Sequence, residues 1–415
     1  MKGGTTSPAH ERLLSQAMNG AMDVRHLRLE GTNREIGRAL ARIAKARHEL
    51  TSQMLTEGQP GQARMQAQFA RKHAPILWQR AEGVAKELGV DVDTHDVTAL
   101  PYNQLTAPIA PVGCSLVYYP PAASATGRPM LSRNYDFPLV TMAQLLGVEP
   151  EGNLRPMMGD PYLLELHPSD GGFASVAMCS FDLLGGTLDG INSRGLVVSA
   201  NGDEIAWGED AQPASSGVGF HELSCMREVL DRCATAEDAR RVLMEGEFFV
   251  SMIPCHYLVA DRTGSAFVFE RDCTGNACVI EAEDKPLVLA NHPLHRFPDR
   301  TAFPSPYGVA STGTTSFERQ IQLEDTVDAV DGLHDLDGMK SACRSVSVGA
   351  VLGRLPDGPR QALASSPGMA RTLWHVVYDA IARTIDIQFY VGEESTPDGG
   401  FRERYGEPIR LTLQG

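Results

Sequence analysis

The chain is poor in positive charge. Lys and Arg number 37 against 52 Asp and Glu, a formal net charge of −15 over 415 residues. Nucleic acid and anionic membranes need a basic face, so this balance excludes both as partners. It leaves a small-molecule substrate open. No run approaches the roughly 20 apolar residues of a membrane helix. Met1–Met18 is polar and lacks the apolar centre of a secretory signal, so a soluble, cytoplasmic protein is expected. Cysteine is dilute, with eight residues between Cys114 and Cys343 and no CxxC. In a reducing compartment most of these are small buried hydrophobes rather than disulfides. Cys273 and Cys278 have no matching histidine pair, which argues against zinc. Internal repeats and low-complexity tracts are missing too.

What is present is ordinary globular material, 42% hydrophobic and 21% charged, long enough for one large domain or two smaller ones. The first hundred residues read as helical. Thr32-Asn33-Arg34-Glu35 has capping-box form, and Ile36, Ala39, Leu40 and Ile43 follow on one face. A second helical stretch runs from Met65 to Leu88, broken near Pro75, with Gly89 as its stop. After Pro108 and Pro111 the pattern changes to strands. These are expected at Ser115–Tyr119, Met130–Phe137, Tyr162–His167, Phe173–Phe181, Gly195–Ala200, Cys255–Asp261, Ala266–Glu270, Cys278–Glu281, Leu287–Ala290, Trp374–Tyr378 and Ile385–Val391. Helices interrupt them at Gly219–Cys233 and after Thr235. Gly353–Gly368 and Glu393–Gly400 read as connections. The whole predicts layered α and β structure with sheets covered by helices.

Cys114 alone reads as one buried thiol among eight. Its position after Gly113, at the junction of the helical and strand-rich parts, adds chemistry. Glycine tolerates backbone geometries closed to other residues, and a thiol can attack the carbonyl of the peptide bond preceding it. Cleavage there would free an α-amine with a reference pKa of about 7.7–8.0, suited to act as a general base. Nucleophile and base would then belong to one residue.

Val112-Gly113-Cys114-Ser115 followed by Leu131-Ser132-Arg133-Asn134-Tyr135-Asp136-Phe137 resembles the peptidase C45 family. That family includes acyl-coenzyme A:6-aminopenicillanic acid acyltransferase and is related to choloylglycine hydrolases and penicillin V acylases. Glu30-Gly31-Thr32-Asn33-Arg34-Glu35-Ile36-Gly37 looks like its N-terminal signature, and Trp374-His375-Val376-Val377-Tyr378-Asp379 like its closing strand. The resemblance implies an α+β, four-layer αββα Ntn-hydrolase fold with a helical N-terminal segment. It implies a proenzyme that cuts itself between Gly113 and Cys114. Residues 1–113 and 114–415 would then be separate pieces that stay associated.

The resemblance also implies site residues. Asp136 would hold the Cys114 amine, and Arg133 would favour the thiolate. A surface ion pair is the plainer reading of these two residues. Ser132 replaces a glycine frequent in relatives. Asn201, at the end of an apolar strand, matches an oxyanion-hole asparagine. Asn291, in Leu289-Ala290-Asn291-His292-Pro293, matches a strand-end asparagine with an orienting or oxyanion role; a turn residue before proline is the alternative. Asn192 reads as a hairpin turn residue, and His256 and His292 as solvated or core histidines. Arg319 lies near a site arginine of the bile-salt and penicillin V enzymes, one helical turn from the best alignment at Ser316. Tyr135, Phe137 and Arg319 are candidates for substrate contact. The loop-like segments Phe137–Asp160 and Trp207–Phe220 are expected to wall the pocket.

The expected activity is hydrolysis of a linear amide through a thioester, with no cofactor. Acyl transfer to an amine, with an acyl-coenzyme A thioester as donor, is the alternative. A non-catalytic scaffold and a papain-like cysteine protease are the other readings; the latter requires a Cys–His pair and no internal cut.

Overall fold

The computed structural model describes residues 10–18, 20–50, 52, 60–98, 113–141, 155–156, 158–180, 183–205, 217–251, 254–271, 276–304, 315–365 and 368–414. In chain order the elements begin with β1 (His10–Gln16), β2 (Asp23–Gly31), α1 (Asn33–Arg47), α2 (Pro60–His73) and α3 (Pro75–Leu88). Next come β3 (Cys114–Tyr119), β4 (Met130–Pro138), β5 (Tyr162–Pro168), β6 (Ser175–Cys179), β7 (Asp189–Asn192) and β8 (Val197–Gly202). Helices α4 (Ser224–Arg232) and α5 (Ala236–Glu245) precede β9 (Cys255–Ala260), β10 (Ala266–Arg271), β11 (Ala277–Glu281) and β12 (Leu287–Leu289). Then follow α6 (Ser316–Asp328), α7 (Leu336–Arg344), α8 (Val348–Leu352) and α9 (Asp357–Ala364). The chain closes with β13 (Ala370–Asp379), β14 (Thr384–Ser395), β15 (Phe401–Tyr405) and β16 (Ile409–Thr412).

The strands form two sheets. One has nine strands in the order β1-β2-β5-β6-β7-β8-β9-β10-β11, antiparallel except for the parallel β2–β5 pair. The other has seven, β12-β3-β4-β13-β14-β15 with β16 on β14, all antiparallel. Strand β3 shows why they stack. Its side chains alternate: Leu116 and Tyr118 join one core with Val176, Ile191 and Val198 of the larger sheet. Val117 and Tyr119 point the other way, onto Leu323, Val327, Met339 and Cys343 of α6 and α7. A strand buried on both faces reads as a continuous apolar run. Helices α1, α4 and α5 cover the larger sheet, and α6, α7 and α8 the smaller. The layers are therefore helix, sheet, sheet, helix, an α+β sandwich.

All eleven expected strands are present. The N-terminal segment differs from expectation, because beside helices α1, α2 and α3 it supplies β1 and β2 to the larger sheet. Leu27-Arg28-Leu29-Glu30 carries the two-residue period, but only Leu27 and Leu29 are buried there, too short a signal to outweigh the helical pattern that follows. The stretch 353–368 holds α9, and β14 runs on to Ser395 where a loop was expected. Segments 137–160 and 207–220 lie largely outside the described residues. The capping boxes at Thr32 and Thr235 both form, Pro75 opens a new helix, and Gly89 ends it at φ 71°. No helix among the described residues is long and apolar enough to cross a membrane.

Helices α1 and α3 approach backbone to backbone. A Cβ at Gly37 would lie 2.0 Å from the Arg80 carbonyl oxygen, and one at Gly83 2.1 Å from that of Arg34. Close contact lets Arg80, fully buried, reach both neighbours. It makes a bidentate pair with Asp231 of α4 at 2.6 and 3.0 Å, and its Nε donates to Asn33 Oδ1 at 3.0 Å. Gly37→Ala is expected to force the helices apart and lower stability by about 1–3 kcal/mol, read from the denaturant midpoint.

Candidate active site

Strands β3 and β4 pair with Cys114 opposite Tyr135 and Leu116 opposite Arg133. The first residue of β3 therefore sits at the open end of the hairpin, beside the last residues of β4. Both main-chain groups of the Gly113–Cys114 peptide are held. The Asp136 N–H donates to the Gly113 carbonyl at 3.0 Å, and the Cys114 N–H donates to Asn291 Oδ1 at 2.8 Å. Cys114 is 1% exposed.

Arg133 leaves the smaller sheet and enters the larger. Its Nη2 lies 3.6 Å from Cys114 Sγ and also donates to the Ala200 carbonyl. Nη1 donates to the Leu188 carbonyl at 2.7 Å and pairs with the Asp189 carboxylate. The guanidinium carbon lies 5.0 Å from the centre of the Tyr135 ring. Asp189 is itself fully buried. It accepts from the Tyr378 hydroxyl, and from Trp374 Nε1 at 3.4 Å.

Charges balance unevenly around the sulfur. Burial pushes the Cys114 thiol up, and the Asp136 charge adds to this; Arg133 opposes both and does not win. In the uncut chain the thiolate is therefore not favoured, contrary to what Arg133 alone implies. Burial likewise disfavours charge on Arg133, but Asp189 and Cys114 more than offset it. Asp136 follows Ser132 and Asn134 on the other face of β4, where Ser132 Oγ lies 3.1 Å from Cys343 Sγ. Burial raises the Asp136 carboxyl to about 7, against a 2.6 Å hydrogen bond from Thr372 and the charges of Arg319 and Arg133.

Asn291, just beyond β12, links several elements. Its Oδ1 accepts from Cys114 and from Arg319 Nη2 at 2.6 Å, and its Nδ2 donates to the Gly202 carbonyl at 2.8 Å. Arg319 on α6 is thus two hydrogen bonds from the Cys114 nitrogen. It also contacts Glu204 at 3.3 Å. Asn201 donates its amide to the Leu289 and Ala290 carbonyls at 3.1 and 2.8 Å, so its N–H groups are occupied; its Oδ1 is buried without a partner among the described residues.

Tyr135 and Phe137 are core residues here. The Tyr135 ring stacks on Trp374 at 4.0 Å and on Phe137 at 6.0 Å, and both Tyr135 and Phe137 are buried. Asn192 fills its turn, accepting from the Arg194 and Leu196 N–H groups. His292 bonds Ser316 Oγ and stacks on Phe317, and burial drops its pKa to about 3. His256 bonds the Ala290 carbonyl. Neither histidine makes the Cys114 pair that a papain-like site requires. No group of side chains among the described residues could hold a metal ion.

Asp189 was invisible as a site residue in the sequence, although an acid amid Leu188, Gly190 and Ile191 is the signal that marks it. Asp189→Ala leaves the Arg133 charge buried without its partner. The expected cost is about 3–5 kcal/mol, measured by urea unfolding.

The family model described as acyl-coenzyme A:6-aminopenicillanic acid acyl-transferase matches residues 124–393. The match takes in Arg133, Asp136, Asp189, Asn201, Asn291 and Arg319, and begins after Cys114. Similar solved structures include penicillin V acylase from Agrobacterium tumefaciens, with 19% identity over 66% of this chain and 82% of that one, at a TM-score of 0.41. A variant of conjugated bile acid hydrolase from Clostridium perfringens has 12% identity over 72% of this chain and 97% of that one, at a TM-score of 0.44. No curated protein matches the sequence. The matched region spans more than half of the chain and carries Arg133 together with Asp189, and the chain belongs to the acyl-coenzyme A:6-aminopenicillanic acid acyl-transferase family.

Proposed function

We propose that this enzyme cuts itself between Gly113 and Cys114 and then hydrolyses a linear amide of a small molecule. One observation carries the reading. The thiol, the preceding carbonyl and the intervening nitrogen of one peptide bond each have a polar partner: Arg133 at sulfur, the Asp136 N–H at the carbonyl oxygen, and Asn291 at nitrogen. A donor already aimed at the oxygen that becomes negative is the requirement of acyl transfer.

In self-cleavage, Cys114 Sγ attacks the Gly113 carbonyl carbon, and its proton passes by way of a water to the Asp136 carboxylate on the other face of β4. The C–N bond then breaks and the nitrogen receives that proton. Water hydrolyses the resulting thioester, leaving a Gly113 carboxylate, a free thiol and an α-amine. In turnover the amine plays the base. It takes the thiol proton as sulfur attacks the substrate amide and returns it to the departing amine. Asn201 is the proposed oxyanion donor, exchanging its longer bond, to the Leu289 carbonyl, for the substrate oxygen. Arg319 orients Asn291. Substrate contacts are proposed for Tyr135, Phe137 and Arg319, which requires the first two to become accessible after the cut. No cofactor is needed.

The family's description favours a second reading, in which an amine rather than water resolves the thioester and an acyl-coenzyme A serves as donor. The nucleophilic machinery is the same, and exclusion of water decides between the two. The dilute cysteines support a reducing, cytoplasmic setting.

Denaturing intact mass of the purified protein is the direct test. The uncut chain is 44.9 kDa. Free N-terminal-cysteine chemistry requires pieces of about 12 and 33 kDa in the wild type and one intact chain in Cys114→Ala. An intact chain in both favours the non-catalytic scaffold reading. Because Asp136 must be ionised to take the thiol proton, the cleavage rate is expected to fall as pH drops through about 7, followed by mass in a pH series.

A further inference from the structure

Asp136 has one oxygen engaged and one free. Oδ1 accepts from the Thr372 hydroxyl at 2.6 Å, and Oδ2 is buried without a partner among the described residues. The hydroxyl has a single proton, and its direction is set. The Val348 N–H donates to Thr372 Oγ1 at 3.0 Å, which leaves the proton for Asp136. Thr372 is held just as firmly through its main chain. Its N–H donates to Glu403 Oε1 at 2.7 Å, and its carbonyl accepts from the Tyr405 hydroxyl at 3.1 Å, which is shared with Glu403. A β-bulge between Thr372 and Trp374 permits this. It shifts the β13–β4 register so that Thr372 lies opposite Asp136 while Trp374 still stacks on Tyr135.

We propose that Thr372 is a positioning residue for Asp136, and that Glu403 on β15 anchors it. Three hydrogen bonds fix the threonine, the threonine fixes one carboxylate oxygen, and the other is left for the proton relayed from the Cys114 thiol and later for the new amine. This rests on the self-cleavage reading above. Nothing in the family match assigns it, and Glu403 lies beyond the matched residues. The charges and thiols facing Asp136 come from every side: Arg133 on its own strand, Cys114 on β3, Arg319 on α6, Cys343 on α7, and Glu403 with Tyr405 on β15. Among the described residues, only Thr372 donates a side-chain hydrogen bond to the carboxylate.

The test is the pH dependence of self-cleavage, followed by intact mass, in the full chain. Thr372→Val removes a donor to the ionised form. The midpoint of the acid limb is expected to move up by about one unit, and Thr372→Ser is expected to restore it. Glu403→Gln removes a like charge, so its midpoint is expected to move down. A merely structural role would slow cleavage equally at every pH and leave both midpoints in place, and that result overturns the proposal. If Thr372→Val does not fold, an unmoved Glu403→Gln midpoint overturns it alone. A wild type that never cleaves instead removes the underlying reading, which separates the two failures.

Discussion

The buried pair of Arg133 and Asp189 is the contact on which the arrangement of this protein depends. Two apolar sheet faces attract each other without preference for one register, since burial of hydrophobic area is non-directional. A charge buried between them does have a preference. Arg133 comes from one sheet and Asp189 from the other, and separating them would leave two unpaired charges in a medium that cannot solvate either. Tyr378 and Trp374 extend the constraint, because both reach from the smaller sheet to the same carboxylate. Asp189 thus gathers three partners across the interface and holds the sheets in one relation.

The sulfur environment follows from that constraint. Once Asp189 fixes the guanidinium, Nη2 lies against Cys114 and against the Ala200 carbonyl at the end of β8. The next residue, Asn201, bonds the chain just before Asn291, and Asn291 returns to the Cys114 nitrogen. Four segments far apart in sequence close a ring of polar contacts around one peptide bond. The interior has few ways to satisfy so many buried polar groups, which makes the ring an all-or-none feature.

Much of this was legible in the sequence where local rules apply. Caps, proline breaks and strand runs depend on a few neighbouring residues, and Thr32, Pro75 and Cys114–Tyr119 behave as their neighbours dictate. The helix that begins at Ser316 has a capping box of the same kind, from Thr315 and Glu318. What was not legible depends on partners distant in the chain. Strand β2 pairs with β5, whose first residue is more than a hundred positions later. Asp189 gains its meaning from Arg133, Trp374 and Tyr378, none of which lies near it in sequence. Arg319 stands one helical turn from the position that the family pattern gives, but the turn of α6 brings it to Asn291 regardless.

The contact between Arg80 and Asp231 gains a different significance if the chain is divided at Gly113. One partner then belongs to a small polypeptide and the other to a large one, and β2 becomes a strand donated by the first to a sheet built mostly by the second. Before division the two regions meet at the effective concentration set by a tether; afterwards only the interface holds them. Withdrawing the small piece would expose the arginine's empty cavity and an unpaired aspartate, and open a sheet edge. The molecule would thus outlast the covalent continuity that allowed it to fold, and separated pieces would carry no guarantee of finding that arrangement again.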